Sequence, residues 1–349
     1  MRTRTRLAVI TALLFLAPLA SAQMVPSLTN VDRVRLAEAF RLGDMLGNQL
    51  WADWNKAPFA VLLVMPEHEF LIRHPKPSPD FTLVNYDRLL KSKVYYRKRT
   101  QPQNLLATFP VVGIPTIVIG QAENTSKKTS TPWVVTMLHE HFHQLQYSQP
   151  GYYDAVNGLG LTRGDLTGMW MLNYPFPYDW PEMKEHFSHL SKLLAEAVEA
   201  RDNADFRLKL SAYQKQRSEL EHTLSPDDYK YFSFQMWQEG IARYTEYRMA
   251  KLAAASYRPT KAFRALKDYQ PFRNVAENIK RGVLNELSNA KLEESKRVIF
   301  YALGAGEGLL LDRVNPRWRQ RYLVEKFYLD KYFERTQRSL GTISLRSGR

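Results

Sequence analysis

The sequence predicts an α+β fold in which a small, twisted, mainly antiparallel sheet comes first and a mostly helical body follows. Two observations carry this expectation. Between residues 59 and 120, apolar and β-branched residues gather in short runs: Phe59 to Val64, Phe70 to Ile72, Val94 to Tyr96, Leu105 to Phe109 and Thr116 to Ile119. Prolines, Gly113 and polar clusters separate these runs, as they separate strands. From Trp180 onward the apolar spacing becomes that of amphipathic helices, over residues 182–201, 205–223, 226–255, 275–287, 292–314 and 316–333. A length of 349 residues suits two domains, or one domain with a large helical lobe.

Taken in order, the chain starts with the basic stretch Met1 to Arg6, an apolar run from Leu7 to Leu16, and Ala20-Ser21-Ala22 before Gln23. That order is the pattern of a secretory signal peptide over residues 1–22. The apolar run is shorter than the ~20 residues of a spanning helix, and Pro18 interrupts its end. The expectation is an exported protein, in a periplasm or in the medium, with no stable membrane span after cleavage. The chain has no cysteine, so stability must come from burial without disulfides.

Asn30 is placed to cap a helix over residues 31–46, where Val34, Phe40 and Leu42 recur at near-helical spacing. The β-rich runs follow, and residues 121–131, rich in Ser, Thr and Lys, form a loop. Residues 23–131 thus make an N-terminal α+β subdomain. Pro132-Trp133 starts a helix to Tyr147 and opens a helical subdomain over 132–335. An insertion at 148–236, with Pro150-Gly151-Tyr152-Tyr153, an aromatic segment from Trp170 to Trp180 and two helices, is expected to form a lobe over a cleft. Residues 336–349 read as a basic tail without structure.

The formal charge is +14, and loss of Arg2, Arg4 and Arg6 leaves 46 basic against 35 acidic residues, or +11. The basic residues are spread along the chain, with modest clusters at 91–99 and 258–281 and no nucleic-acid motif. They read as a solvated basic surface, and no nucleic acid is expected as a partner.

The informative segment is His139-Glu140-His141-Phe142-His143, which satisfies the pattern H-E-x-x-H. On a helix, positions four apart lie one turn above each other, so His139 and His143 can both present an imidazole nitrogen to one metal ion. Glu140 then lies beside the metal, where a carboxylate can take a proton from a metal-activated water. His141 matches neither role. A catalytic zinc ion needs a third protein ligand and an open position, so a further ligand is expected elsewhere in the chain.

Trp237-Gln238-Glu239-Gly240-Ile241-Ala242-Arg243-Tyr244-Thr245-Glu246-Tyr247 resembles the W-x-x-E-G-x-A-x-Y-x-E-Y helix of the aminopeptidase N family of gluzincin metallopeptidases, matching from Glu239 to Tyr247, with Trp237 one position nearer the glutamate than in that pattern. The resemblance implies a zincin-like catalytic domain with one zinc ion, Glu239 as its third ligand, and Gly240 and Ala242 thinning the helix so that the two metal-bearing helices approach. Glu246 lies seven residues on and would orient a ligand imidazole from behind. Tyr301-Ala302-Leu303-Gly304 is similar to the Y-x-x-G start of the helix that carries the family's catalytic tyrosine, which implies an oxyanion donor at Tyr301. Gly120-Gln121-Ala122-Glu123-Asn124 is similar to the family's G-x-M-x-N segment, which implies that Glu123 and Asn124 contact substrate, Glu123 at its amino terminus.

The leading expectation is therefore an exported zinc metallopeptidase acting on peptide or protein substrates. A second reading is a non-catalytic pseudo-peptidase of the envelope that binds acidic glycans, lipids or peptides. That reading expects a damaged motif, whereas Glu140 is intact. Endopeptidase and aminopeptidase action both stay open, and the pattern specifies no oligomeric state.

Overall fold

The computed structural model describes residues 25–333 except Leu166. The expected signal segment 1–22 and basic tail 336–349 lie outside the described residues. The fold is α+β. Helix α1 (Asn30–Leu50) is capped by Thr29 and not by Asn30: the threonine hydroxyl accepts from the Asp32 backbone N–H at 3.1 Å, and Asn30 is already helical.

Six strands follow: β1 (Val61–Val64), β2 (His68–Ile72), β3 (Thr82–Asp87), β4 (Ser92–Lys98), β5 (Leu106–Val111) and β6 (Ile114–Gly120). Their order is β3-β4-β2-β1-β6-β5. The sheet is mixed, because β6 returns parallel to β1 while every other pairing is antiparallel. Strand β3 escaped the sequence reading for a physical reason. It is an outer strand whose residues are mostly exposed, so no buried apolar face marks it. Strands β5 and β6 are joined at Val112 and Gly113, both with positive φ, as a two-residue type I′ turn requires.

One face of the sheet, with Leu63, Ile72, Val94, Ile117 and Ile119, joins the main core against the helices. The reverse face buries Leu62, Val64, Leu71 and Val118 beneath Phe81, Leu105 and Phe109. Helix α2 (Ser130–Tyr147) lies between the sheet and the helical body, and every residue from Trp133 to Gln146 is buried. Its polar side chains therefore need internal partners. Trp133 Nε1 donates to the Gly120 carbonyl at 2.8 Å, and Gln144 Nε2 donates to the carbonyls of Ala60 at 2.9 Å and Pro115 at 2.8 Å. These bonds pin α2 to β6 and to the start of β1.

The helical body comprises α3 (Tyr152–Asn157), α4 (Trp170–Asn173), α5 (Pro181–Glu199), α6 (Asn203–Thr223), α7 (Pro226–Gln235), a π-helical turn (Met236–Gly240), α8 (Ile241–Ser256), α9 (Lys261–Arg264), α10 (Phe272–Ser288), α11 (Leu292–Ser295), α12 (Ile299–Val314) and α13 (Arg319–Tyr322). Among the described residues no helix is long and apolar enough to cross a membrane. The helix expected over 316–333 is reduced to α13. Phe327 has φ +75°, and Trp318, Tyr322, Phe327 and Tyr332 each turn into the core, so tertiary burial overrides local periodicity. In the inserted segment, Trp170 packs on Phe234, Tyr174 stacks on Tyr231 at 4.3 Å, and Phe176 meets Phe187 and Phe300. Trp180, 64% exposed, is the member of this aromatic segment that stays outside.

Candidate metal centre

Helices α2 and α8 run antiparallel at the site, as their cross-links show. Thr136 and His139 face Glu246, while His143 faces Glu239, and Gln146 reaches the carbonyl of Gln238. His139, His143 and Glu239 each offer one ligand atom, and these atoms all lie within 4.8 Å of one another. An ion equidistant from three atoms at that spacing lies about 2.8 Å from each, so a contraction of under about 1 Å reaches zinc distances of ~2.0–2.1 Å. Both histidines are buried, whereas the Glu239 side chain keeps 19% of its surface, which leaves one side of the cluster open.

The imidazoles are oriented from behind. Gln146 Nε2 donates to the carbonyls of Trp237 and Gln238 and to the Tyr322 hydroxyl, which leaves its Oε1 to accept. That oxygen lies 2.8 Å from His143 Nδ1, so Nδ1 carries the proton and Nε2, 3.4 Å from Glu239 Oε2, is the free ligand atom. The longer approach of Gln238 Nε2 to Nδ1, at 3.2 Å, is then a packing contact, and Gln238 Oε1 accepts from Tyr152. His139 Nδ1 is buried without a hydrogen-bond partner and lies 3.6 Å from Glu246 Oε2. Glu246 is buried too, and its Oε1 accepts from Lys127 at 3.0 Å and Thr136 at 3.2 Å. A small rotation of the His139 ring toward a metal would close the gap to Glu246 and satisfy the orphaned nitrogen.

Charge at the cluster fits a cation. Burial opposes charge on both His143 and Glu239, yet their mutual attraction outweighs it, lifting His143 to about 9 and drawing Glu239 down to about 2. A divalent ion between them would take over the role of that proton. Burial likewise opposes charge on Glu246, and Lys127 with His139 holds its carboxyl well below the usual range.

Glu140 is buried beside this pair and adds to the field that raises His143. Thr108 on β5 lies with Oγ1 2.8 Å from Glu140 Oε2 and 3.0 Å from the Glu140 carbonyl, so the sheet holds the carboxylate. Tyr301, in the first turn of α12, also joins the site. Burial, and then the nearby Glu239 carboxylate, push its phenol well above the ordinary value, while Arg297 Nη1 donates to its hydroxyl at 3.0 Å.

No protein-family model matches the sequence, and no curated protein or solved structure matches the chain.

Two sequence expectations find other surroundings. Gly240 does not thin α8 against α2: a Cβ there would fall 2.4 Å from the Gly304 Cα, so the close approach is between the π turn and α12. Glu123 accepts from Arg35 Nη1 at 2.7 Å beyond the N-terminus of α2, and Asn124 closes a 3₁₀ turn (Ala122–Asn124). His139 lies nine residues into α2 from Ser130, about 13 Å along its axis, and neither Glu123 nor Asn124 joins the cluster. His141, which matched neither role in the sequence, stacks on Phe59 at 3.9 Å with Nδ1 against Gln144 Oε1, and burial pushes it down to about 4, so it stays neutral.

Four contributors went unread in the sequence. Gln146 had a local signal, standing three residues after His143 on one helix. Thr108, Lys127 and Arg297 reach the site from other elements, and no spacing along the chain marks them.

Proposed function

We propose that the chain is a zinc-dependent hydrolase of the gluzincin type that cuts peptide bonds, exported as its first residues suggest. One observation carries this reading: His139 and His143 on α2 and Glu239 in the π turn, with 95 residues between His143 and Glu239, converge with one ligand atom each within 4.8 Å, and Glu140 stands beside them. π-helical turns inside helices are frequent at functional sites, which supports the same assignment for Met236–Gly240.

One zinc ion held by His139, His143 and Glu239 would polarise the scissile carbonyl and make a water acidic enough to attack it. Around that chemistry the side chains divide the work. Glu140 takes the water proton on its carboxylate and delivers it to the leaving amine, and the Thr108 hydroxyl holds the carboxylate in place. Tyr301 donates to the oxygen that gains charge, with Arg297 fixing the phenol. Gln146 sets the His143 tautomer, and Glu246 is the counterpart for His139.

Two variants test the reading. Glu140→Gln keeps all three ligands, so zinc content should stay near stoichiometric while hydrolysis of a peptide library falls at least ~10²-fold, the scale of a lost general base. Glu239→Ala removes a ligand, and zinc affinity should fall together with activity. If Glu140→Gln cuts peptides as fast as the parent, or the parent can be neither isolated nor reconstituted with zinc, the hydrolase reading falls. A protein that binds acidic glycans, lipids or peptides without cutting would then be the better description.

A further inference from the structure

Arg297 occupies the 3₁₀ turn Lys296–Val298 that leads into α12, one helical turn before Tyr301. It is partly buried, and its guanidinium lies 5.7 Å from the centroid of the Tyr301 ring, with Nη1 bonded to the tyrosine hydroxyl. Most partly buried arginines elsewhere in this chain pair with a carboxylate: Arg33 with Asp87, Arg97 with Glu69, Arg243 with Glu286 and Arg248 with Asp312, whereas Arg41 bonds the Arg258 carbonyl instead. Among the described residues Arg297 forms no ion pair, and its Nε and Nη2 find no hydrogen-bond partner. Those atoms are also not sealed from solvent.

The chain holds this cation in place at some cost. Lys296, immediately before it, has φ +46° and ψ −133°, a region that residues with side chains rarely adopt and that tends to mark functional sites. The wall beside Arg297 is phenolic and apolar. Its charge reaches Tyr178 and Tyr231, and Phe300 packs with Phe176 and Tyr231. In such surroundings a charge-assisted, two-pronged bond from a guanidinium to a carboxylate is strong. The acid whose field Arg297 feels is Glu239, and a zinc ion at the cluster would claim that charge, leaving the arginine without a counter-ion.

We propose that Arg297 determines substrate specificity by binding a carboxylate of the peptide, a C-terminal carboxylate or an Asp or Glu side chain, one or two residues from the bond that is cut. The spacing follows from the side chains: Arg297 Nη1 lies 3.0 Å from the Tyr301 hydroxyl that would serve the scissile carbonyl, and an extended peptide advances ~3.3 Å per residue, so the free edge of the guanidinium is within one or two residues of that bond. The inference rests on the hydrolase reading for the position of the scissile bond. It also agrees with the fate of Glu123: the acid that could have selected an amino terminus is bound to Arg35, so the free recognition charge beside the cluster is positive.

The test uses the full mature chain loaded with zinc and carrying Glu140→Gln to prevent turnover. Calorimetry measures binding of three peptides of one sequence: the free acid, the C-terminal amide, and the amide with a glutamate two residues from its end. Either the free acid or the glutamate peptide should bind at least ~10-fold tighter than the plain amide, the scale of a hydrogen bond to a charged group, and whichever does so names the source of the carboxylate. Arg297→Gln should bring that ratio to about one, and Arg297→Lys, which keeps the charge without the fork, should retain part of it. Unfolding midpoints and zinc content confirm that the variants are folded and loaded. The inference is overturned if the parent binds all three peptides alike, if it binds none, or if Arg297→Gln leaves the ratio unchanged. Hydrolysis of the same peptides by the chain with Glu140 intact is scored separately, so failure of the hydrolase reading is visible on its own.

Discussion

The crossing of the π turn over α12 is the contact on which Glu239 depends, and Gly304→Ala probes it directly. A Cβ at position 304 would lie 2.4 Å from the Met236 carbonyl oxygen and 2.7 Å from the Gly240 Cα, whereas ordinary contact begins at 3.4 Å. Both struck atoms belong to backbone, so no side chain can swing away, and the two elements must part by about 1 Å. Overpacking of this kind costs ~1–3 kcal/mol, offset by the ~0.5–1 kcal/mol that alanine gains over glycine inside a helix. The expected net loss is therefore roughly 1–2 kcal/mol. Because the displaced turn carries Glu239, which stands 3.4 Å from His143 Nε2, zinc affinity should fall as well, by at least ~10-fold, the scale of changes that misplace a ligand. Guanidinium unfolding followed by tryptophan fluorescence, with chelator present, measures the first effect; competition with a chromophoric chelator measures the second. Gly282→Ala is the control. Position 282 is also helical, but the nearest atom to its Cβ would be Arg243 Nη2 at 3.9 Å, so this variant should be stabilised by ~0.5–1 kcal/mol with unchanged zinc affinity. If Gly304→Ala matches Gly282→Ala in both measurements, the glycine crossing does not position Glu239.

Two further expectations follow from buried groups. Burial pushes Glu307 up to about 7, with Arg217 and the Tyr213 hydroxyl opposing the rise, against 4.5 for an ordinary glutamate. The folded chain therefore holds this proton more tightly than the unfolded chain, and the associated stability, full below about pH 4.5, is lost as pH rises toward 7. Glu307→Gln should flatten that decline, read as the unfolding midpoint from pH 5 to 8, and equal slopes in the two proteins would show that Glu307 does not titrate there. Thr108→Val keeps the side-chain shape and removes the donor to Glu140, so hydrolysis should drop by roughly tenfold at unchanged zinc content. Undiminished kcat/KM would dismiss Thr108 as a positioning residue.

What could be read along the chain was what helix and strand geometry place locally. His139 and His143 share a helix face because four residues make nearly one turn, and that holds wherever the helix packs. Strands β1, β2 and β6 announced themselves by buried apolar runs, whereas β3, exposed at the sheet edge, did not. The resemblance around Trp237 to Tyr247 pointed to Glu239 and Glu246 because that motif sits on one helical stretch. Its echo at Gly120 to Asn124 carried less, since the 3₁₀ turn there leaves Glu123 facing Arg35.

The sequence by itself determined the residue types of the cluster, the one-turn spacing of its histidines, and the change from sheet to helices. Tertiary structure decided what each of those groups faces. The antiparallel pairing of α2 with α8 assigns Glu239 to His143 and Glu246 to His139, and the Gly240–Gly304 contact sets how near Tyr301 and Arg297 come to the cluster. Thr108 reaches Glu140 across 32 positions of chain, and its partner is set by how α2 lies against β5. Helical periodicity repeats over a few residues and is written in neighbouring side chains. The mutual placement of helices is set instead by which surfaces can approach, and at this site two glycines far apart in the chain allow the approach.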